Sequence, residues 1–312
     1  MIELKNKKIL ITGGTGFIGQ HVLENLIKKR NVSSENIFVP TIENYDLRKM
    51  EDCQRVVKNK DIVIHLAAVT GDIEFHRLHP GRIFYDNIIM GVQMMEAARQ
   101  AGVEKFIGLG SVTAYPESAP VPYKEKDFWQ GYPVKIHAPY SFAKKMLLVQ
   151  GQAYREEYDF KAIHLLLTSV YGPGTNPQSG YVISSIIEKI SKAKQEGRDF
   201  IEVWGTGRPV RDFLFVEDAA EGIILATEKY DKPEPINIAS GSEVSTKELV
   251  ILICRLMDFN GEVRWDISKP DGQLERTIDV SRTKEEFGFT AQISLEIGLK
   301  KTIEWHSENL KR

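Results

Sequence analysis

Tyr140 and Lys144 stand four residues apart in Pro139-Tyr-Ser-Phe-Ala-Lys144, at the head of a segment with helical periodicity. That spacing puts both side chains on one helix face. An ammonium close to a phenol favours the phenolate and brings its pKa from about 10 toward neutrality, which suits a proton donor and acceptor for an alcohol/ketone pair. Upstream, Gly108-Leu-Gly-Ser-Val-Thr-Ala-Tyr115 follows an apolar run at 105–109. Ser111 and Thr113 are therefore expected at the carboxyl end of a strand, where open α/β sheets bind ligands. The Ser111 hydroxyl could hydrogen-bond the same substrate oxygen as Tyr140. His137, just before Tyr140, could supply a titrating group, but the favoured reading is a solvated loop histidine. Cys53 and Cys254 belong to no CxxC or Cys/His pattern, so neither a metal site nor a disulfide framework is expected.

A second constellation precedes these residues. Thr12-Gly-Gly-Thr-Gly-Phe-Ile-Gly19 sets Gly13, Gly16 and Gly19 between a short apolar strand and a helical pattern. In that setting one glycine permits the tight turn, one lets backbone approach a pyrophosphate and one lets helix pack on strand, while the helix N-terminus offers N–H donors to phosphate. After the next strand come Glu43 and Asp46, where a carboxylate would bind the ribose of NAD and a basic residue the extra phosphate of NADP. The next basic residue is Arg48, so NAD is favoured and NADP stays open.

These residues need a scaffold, and the apolar pattern supplies one. Strands are expected near 8–12, 36–39, 61–66, 105–109 and 162–167, separated by helices at 17–27, 48–58, 82–101 and 139–158. Such alternation indicates a doubly wound parallel sheet of Rossmann type, covered on both faces. Beyond Tyr171-Gly-Pro-Gly the rhythm changes, through a loop with Pro173, Gly174, Pro177 and Gly180 to a helix near 183–194 and shorter pieces. The expected division is a dinucleotide-binding domain at 1–171 plus about 212–240, and a smaller α/β substrate lobe at about 172–211 and 241–312. Length fits this plan: 312 residues can bury one large core or two coupled ones. With 41 Lys plus Arg against 43 Asp plus Glu, no basic field favours nucleic acid or an anionic membrane. No apolar run approaches a spanning helix, and a soluble protein of the reducing cytoplasm is expected.

Taken with His65-Leu-Ala-Ala68, Val203-Trp-Gly-Thr-Gly207, Arg211-Asp-Phe-Leu-Phe-Val-Glu-Asp218 and Ser268-Lys-Pro-Asp-Gly272, these motifs resemble the extended short-chain dehydrogenase/reductase family, the NAD-dependent epimerase/dehydratases. The likeness covers nearly the whole chain and is strongest to the fucose synthase branch, whose members act on nucleotide-diphosphate sugars. It implies Ser111, Tyr140 and Lys144 as the catalytic set. The turn of Gly13, Thr15, Gly16, Phe17, Ile18 and Gly19 would hold the pyrophosphate, with Leu66, Ala67 and Ala68 beside the cofactor. Trp204, Arg211 and Lys269 would meet the nucleotide-diphosphate end of the substrate. From the residues alone, Trp204 could instead fill core, and Arg211 could pair with Asp212 or Asp218.

The chain departs from the fucose synthase pattern in the sugar pocket. That branch carries a cysteine and a histidine that exchange protons beside the ketone. Here Thr113 and Tyr181 take those places, and Ser169 stands where an asparagine is usual. A threonine hydroxyl cannot titrate near neutrality, so 3,5-epimerisation through the usual pair is not expected. A 4,6-dehydratase is disfavoured because Val112-Thr113 replaces its Asp-Glu pair. The expected activity is NAD-dependent redox chemistry at sugar C4, as a 4-keto reductase or oxidase, with a 4-epimerase retaining its NAD as the alternative. A non-catalytic dinucleotide-binding regulator is the reading from another class. The helices near 82 and 139, with Ile88, Val92, Met95, Met146 and Val149, are expected to pair in a homodimer, as in relatives; burial inside the monomer is the competing reading.

Overall fold

Ile9 and Ile11 pack toward one layer of helices and Leu10 toward the other, so strand β1 (Ile9–Thr12) is buried on both faces. The same alternation runs through β3 (Ile62–His65), β4 (Lys105–Ser111) and β5 (Ala162–Leu167), which explains their unbroken apolar runs. The computed structural model describes residues 1–176, 180–269 and 271–309. Pro177, expected in the loop after Tyr171, lies outside them.

With β2 (Ile37–Phe38) and β10 (Ile236–Ile238), the four strands form a six-stranded parallel sheet in the order β10-β5-β4-β3-β1-β2. Strand order reverses between β1 and β3, and the loops leaving both carboxyl ends open a crevice there. One face is covered by α1 (Phe17–Lys28) and α7 (Val216–Lys229), the other by α2 (Met50–Val57), α4 (Pro80–Gln100) and α5 (Ala138–Tyr158). Helix α4 begins two residues before the expected Arg82 because Pro80, with its φ already helical and no N–H to lose, starts the first turn. A short α3 (Ile73–Leu78), capped by the Asp72 carboxylate on the Phe75 N–H at 2.8 Å, precedes it and was not expected. Met95 is buried between sheet and helices, while Phe84, Tyr85 and Val149 remain exposed along α4 and α5. An apolar groove of about 600 Å³ beside them is lined by Pro80, Phe84, Phe142 and Met146.

The second core gathers α6 (Val182–Glu196), α8 (Thr246–Leu256) and α9 (Leu295–Asn309) around Ile186, Ile190, Ile201, Leu249, Ile253 and Leu299. Its strands are short: β7 (Phe200–Trp204) pairs in parallel with β12 (Glu262–Asp266), and β8 (Val210–Arg211) lies between β11 (Val244–Ser245) and β13 (Glu275–Arg276). A separate pair, β6 (Ser169–Tyr171) with β9 (Phe213–Phe215), runs at the exit of the main sheet. No helix among the described residues is long and apolar enough to cross a membrane, and none of their His, Cys, Asp and Glu side chains form a group of three able to hold a metal.

Candidate functional site

The glycine turn leaves β1 and enters α1 with no room for side chains. Gly13 has φ +68°, and a Cβ there would sit 2.8 Å from the Ala67 amide nitrogen; one on Gly19 would lie 2.3 Å from the Gly13 carbonyl oxygen. Gly14, unassigned from sequence, is needed equally, since its Cβ would meet Val39 Cγ1 at 2.7 Å. Gly16 is the N-cap of α1 and provides no side-chain cap, and the first turn holds no acid, so the end of the helix keeps its partial positive charge. Thr15, Phe17 and Ile18 lie in the same turn and first helical residues. Leu66, Ala67 and Ala68 close the crevice from the β3 side: the Leu66 N–H donates to the Thr12 carbonyl at 3.1 Å and the Ala67 N–H to Thr12 Oγ1 at 3.2 Å. Buried Asn87 pins the following residue, its Oδ1 accepting from the Val69 N–H while its Nδ2 donates to the Val69 and Ile83 carbonyls. A backbone cradle at a bare helix end fits a pyrophosphate. Of the two acids beyond β2, Asp46 is taken by Arg48, which grips both its oxygens at 2.8 and 2.9 Å, while Glu43 is exposed.

Ser111 ends β4, and its Oγ accepts from the Thr113 N–H at 3.2 Å and from the Thr113 hydroxyl at 2.9 Å. With both donors pointing in, the Ser111 proton is left to give to another oxygen. Ser141 on α5 locks this turn by donating to the Thr113 carbonyl. Tyr140 and Lys144 share one face of α5, with the Lys144 Nζ 5.7 Å from the centre of the phenol ring. The expected lowering of the phenol pKa is opposed by burial. Burial, helped by Tyr181, holds the Tyr140 phenol above its ordinary range, and burial draws the Lys144 ammonium down to about 8.

The region around α3, α6 and the β8–β13 pair carries residues that sequence reasoning misplaced or missed. His137 is not solvated: it is half-buried, its ring centre 5.1 Å from that of His76. His76 in turn lies 5.8 Å from the Tyr140 ring. Tyr181, at the N-cap of α6, shares a hydrogen bond with Thr70. Ser169 accepts a long hydrogen bond of 3.4 Å from Arg276, a residue not singled out from sequence. Arg276 lies opposite Arg211 in the β13–β8 register. Neither guanidinium forms an ion pair with a carboxylate of the described residues; Arg211 instead donates to the carbonyls of Val210, Gln273 and Leu274. Asp212 and Asp218, its conceivable partners, accept from Ser240 and Gly241 and from Gln292 and Ile293. Burial and the neighbouring Arg276 bring Arg211 down to about 10, and burial lowers Arg276 as well. Two such cations side by side are a site for an anion. Trp204 does not fill core: it is 58% exposed, with the Lys189 and Lys269 ammonium groups 5.8 and 5.3 Å from its ring.

A six-stranded parallel sheet, a glycine cradle at its switch point and a Ser/Tyr/Lys set beside it define a Rossmann-type enzyme of the short-chain dehydrogenase kind. The chain matches the model of the NAD dependent epimerase/dehydratase family over residues 9–239 and belongs to that family. It is 32% identical to a probable GDP-L-fucose synthase of Oryza sativa over 98% of this chain and 94% of that protein. A GDP-L-fucose synthetase from Naegleria fowleri, solved with NADP bound, superposes with TM-score 0.87 at 27% identity over 98% and 96% of the two chains. A UDP-glucose 4-epimerase from Thermotoga maritima, solved with UDP-glucose, gives 0.84 at 28% identity over 97% and 99%. The protein is thus an enzyme using a nicotinamide dinucleotide, and the non-catalytic reading is set aside.

Proposed function

We propose that the protein is a nucleotide-diphosphate sugar oxidoreductase acting at sugar C4, reducing a 4-keto sugar. The observation that carries this reading is the turn of Ser111, whose proton is free, held against the α5 face of Tyr140 and Lys144 by the hydrogen bond from Ser141 to the Thr113 carbonyl. A phenol, protonated at neutral pH, can donate to the oxygen of a carbonyl under reduction. The dinucleotide, when bound, supplies the hydride exchange with the sugar carbon. Gly13 to Gly19 hold its pyrophosphate, Leu66 to Ala68 line it and Lys144 orients it. Arg211 and Arg276 clamp the substrate diphosphate, Trp204 and Lys269 take the nucleotide end, and Ser169, Thr113 and Tyr181 shape the sugar pocket.

Thr113 and Tyr181 leave the enzyme without the cysteine and histidine of 3,5-epimerisation. NAD is the preferred cofactor, because Arg48 is held between Asp46 and Asp86 and meets a 2′-phosphate in a field of carboxylates; NADP, bound in the Naegleria relative, is the competitor. The exposed Phe84, Tyr85 and Val149 on α4 and α5 support a homodimer through that face. Two buried free cysteines accord with a cytoplasmic setting. The likeness to a UDP-glucose 4-epimerase favours one second reading, a 4-epimerase that keeps its NAD.

Mass spectrometry of small molecules released on denaturation, followed by assays of GDP- and UDP-linked 4-keto hexoses with NADH and NADPH, tests both. Little retained dinucleotide and steady oxidation of NADH support the reductase. Near-stoichiometric retained NAD without net cofactor turnover favours the epimerase. Turnover of neither kind overturns the proposal.

A further inference from the structure

Strand β13 is two residues long and meets β8 through two register pairs, Glu275 with Val210 and Arg276 with Arg211. A ladder that short is marginal by itself. Yet residues 273–279 carry one of the two adjacent guanidinium groups and receive the other. Tyr123, from the loop after Tyr115, fastens this segment at both ends. Its N–H donates to the Thr277 carbonyl at 2.9 Å and its carbonyl accepts from the Asp279 N–H at 3.0 Å, a parallel bridge to Ile278. Its phenol oxygen accepts from Gln273 Nε2. Arg276 lies between these two attachments, and the Gln273 carbonyl in turn accepts from Arg211 Nη2.

Tyr123 is itself fixed to the main sheet. Its ring stacks on Tyr115, with centres 4.6 Å apart and planes at 24°. Asn237, fully buried on β10, holds both tyrosines: its Oδ1 accepts from the Tyr115 hydroxyl at 2.9 Å, and its Nδ2 donates to the Tyr123 carbonyl at 3.2 Å. Tyr115 closes the turn that carries Ser111 and Thr113. With 1% of its surface exposed, Tyr123 acts through its neighbours rather than on a ligand. Burial also pushes its phenol up, so the oxygen stays neutral near Arg276 and Arg211 and leaves their charge for an anion.

We infer that Tyr123 is a positioning residue of the substrate site, its hydroxyl setting, through Gln273, the spacing of Arg211 and Arg276 for a diphosphate. The inference rests on the reading of the two arginines as a diphosphate clamp. A guanidinium meets phosphate oxygens as a rigid planar fork, so a pair of them fits two linked phosphates only at a fixed separation. Without the bond from Gln273, that end of the segment keeps only its short ladder to β8. Arg211, which donates to the carbonyls of Gln273 and Leu274, follows it. A single phosphate can be held by one guanidinium and is less sensitive to the spacing.

Calorimetry on the cofactor-free protein, with GDP and UDP compared against GMP and UMP, tests this. Tyr123→Phe keeps the stacked ring and removes only the hydroxyl, and Gln273→Leu removes the donor. Each is expected to weaken binding of the nucleoside diphosphates about fivefold, as for one net hydrogen bond, and of the monophosphates less than about twofold. Dinucleotide affinity should not change. The double variant should bind no more weakly than the worse single one, because the same bond is broken once. In turnover of a 4-keto sugar nucleotide, KM should rise about fivefold while kcat stays within about twofold. Unchanged diphosphate affinity in both variants overturns the inference, as does a loss shared equally by mono- and diphosphates. If Tyr123→Phe does not fold, Gln273→Leu, at a half-buried position, decides alone. Arg276→Gln separates this inference from the reading beneath it. Weaker diphosphate binding there, with Tyr123→Phe and Gln273→Leu unaffected, sinks the positioning role and leaves the clamp standing. Full diphosphate affinity in Arg276→Gln, or a wild-type protein that binds neither GDP nor UDP, sinks the clamp and this inference with it.

Discussion

The proposed dinucleotide cradle and the proposed diphosphate clamp would bind similar chemical groups by opposite means. The cradle is made of backbone: Gly13, Gly14 and Gly19 lie within seven consecutive residues and leave no room for a side chain. The clamp is made of side chains from separate strands, with Arg211 on β8 and Arg276 on β13 brought together only by strand pairing. A backbone site tolerates almost no substitution but carries no information about what lies beyond the phosphates. A side-chain site can be altered one residue at a time, and it is where one family member differs from another.

The difference can be broken or sharpened by mutation. Where the two halves meet, Tyr140→Phe is expected to lower kcat by ~10²–10⁴-fold while calorimetry still shows dinucleotide binding; retained turnover would remove the centre on which both halves converge. Within the cradle, Gly13→Val forces a branched side chain to φ +68° against Ala67, and dinucleotide affinity should fall by about 100-fold, from a strain of ~1–3 kcal/mol plus the clash. In the clamp, Arg276→Gln should raise KM for the nucleotide sugar by about 30-fold and leave dinucleotide affinity alone, consistent with ~1.5–3 kcal/mol for a charged hydrogen bond. Equal loss of both ligands would show that the two sites are not separable. Trp204→Ala should cost about tenfold in the same KM, the worth of one stacking contact.

The smallest effect at neutral pH grows in acid. His65 and His164, inside the main sheet, are held near 3 by burial, with Lys144 adding to the effect, whereas an unfolded chain takes up protons below 6.5. Both are neutral in the fold. Stability is therefore full above pH 6.5 and falls as pH drops toward 3, by up to ~1.4 kcal/mol per pH unit for each histidine. Urea unfolding from pH 7 to pH 4 measures this, and replacement of His164 should flatten the slope.

Much of the first half was legible because its requirements are local. Buried parallel strands declare themselves as apolar runs, and a turn that excludes Cβ atoms declares itself as glycine. Tyr140 and Lys144 were legible because a helix turns four residues into one face. What the pattern could not show there is burial, which pushes the Tyr140 phenol up and draws the Lys144 ammonium down. Arg276 was missed because its meaning lies in a partner on another strand; its only signal was an arginine in the run after Pro-Asp-Gly. His76 was missed with its helix, since six residues with mixed charges give no periodicity. His137 was misread because its cover comes from that same helix.

The pairing of β10 with β5 has a consequence for how the chain is made. On a ribosome, β5 emerges long before Ile236–Ile238, and everything between them, including β7 and α7, must be synthesised first. Until then Leu165, Leu166 and Leu167 present an apolar strand edge with open amide and carbonyl groups. The nascent chain therefore passes through a stage at which its most aggregation-prone surface is exposed, and that stage ends when the last strand of the sheet arrives.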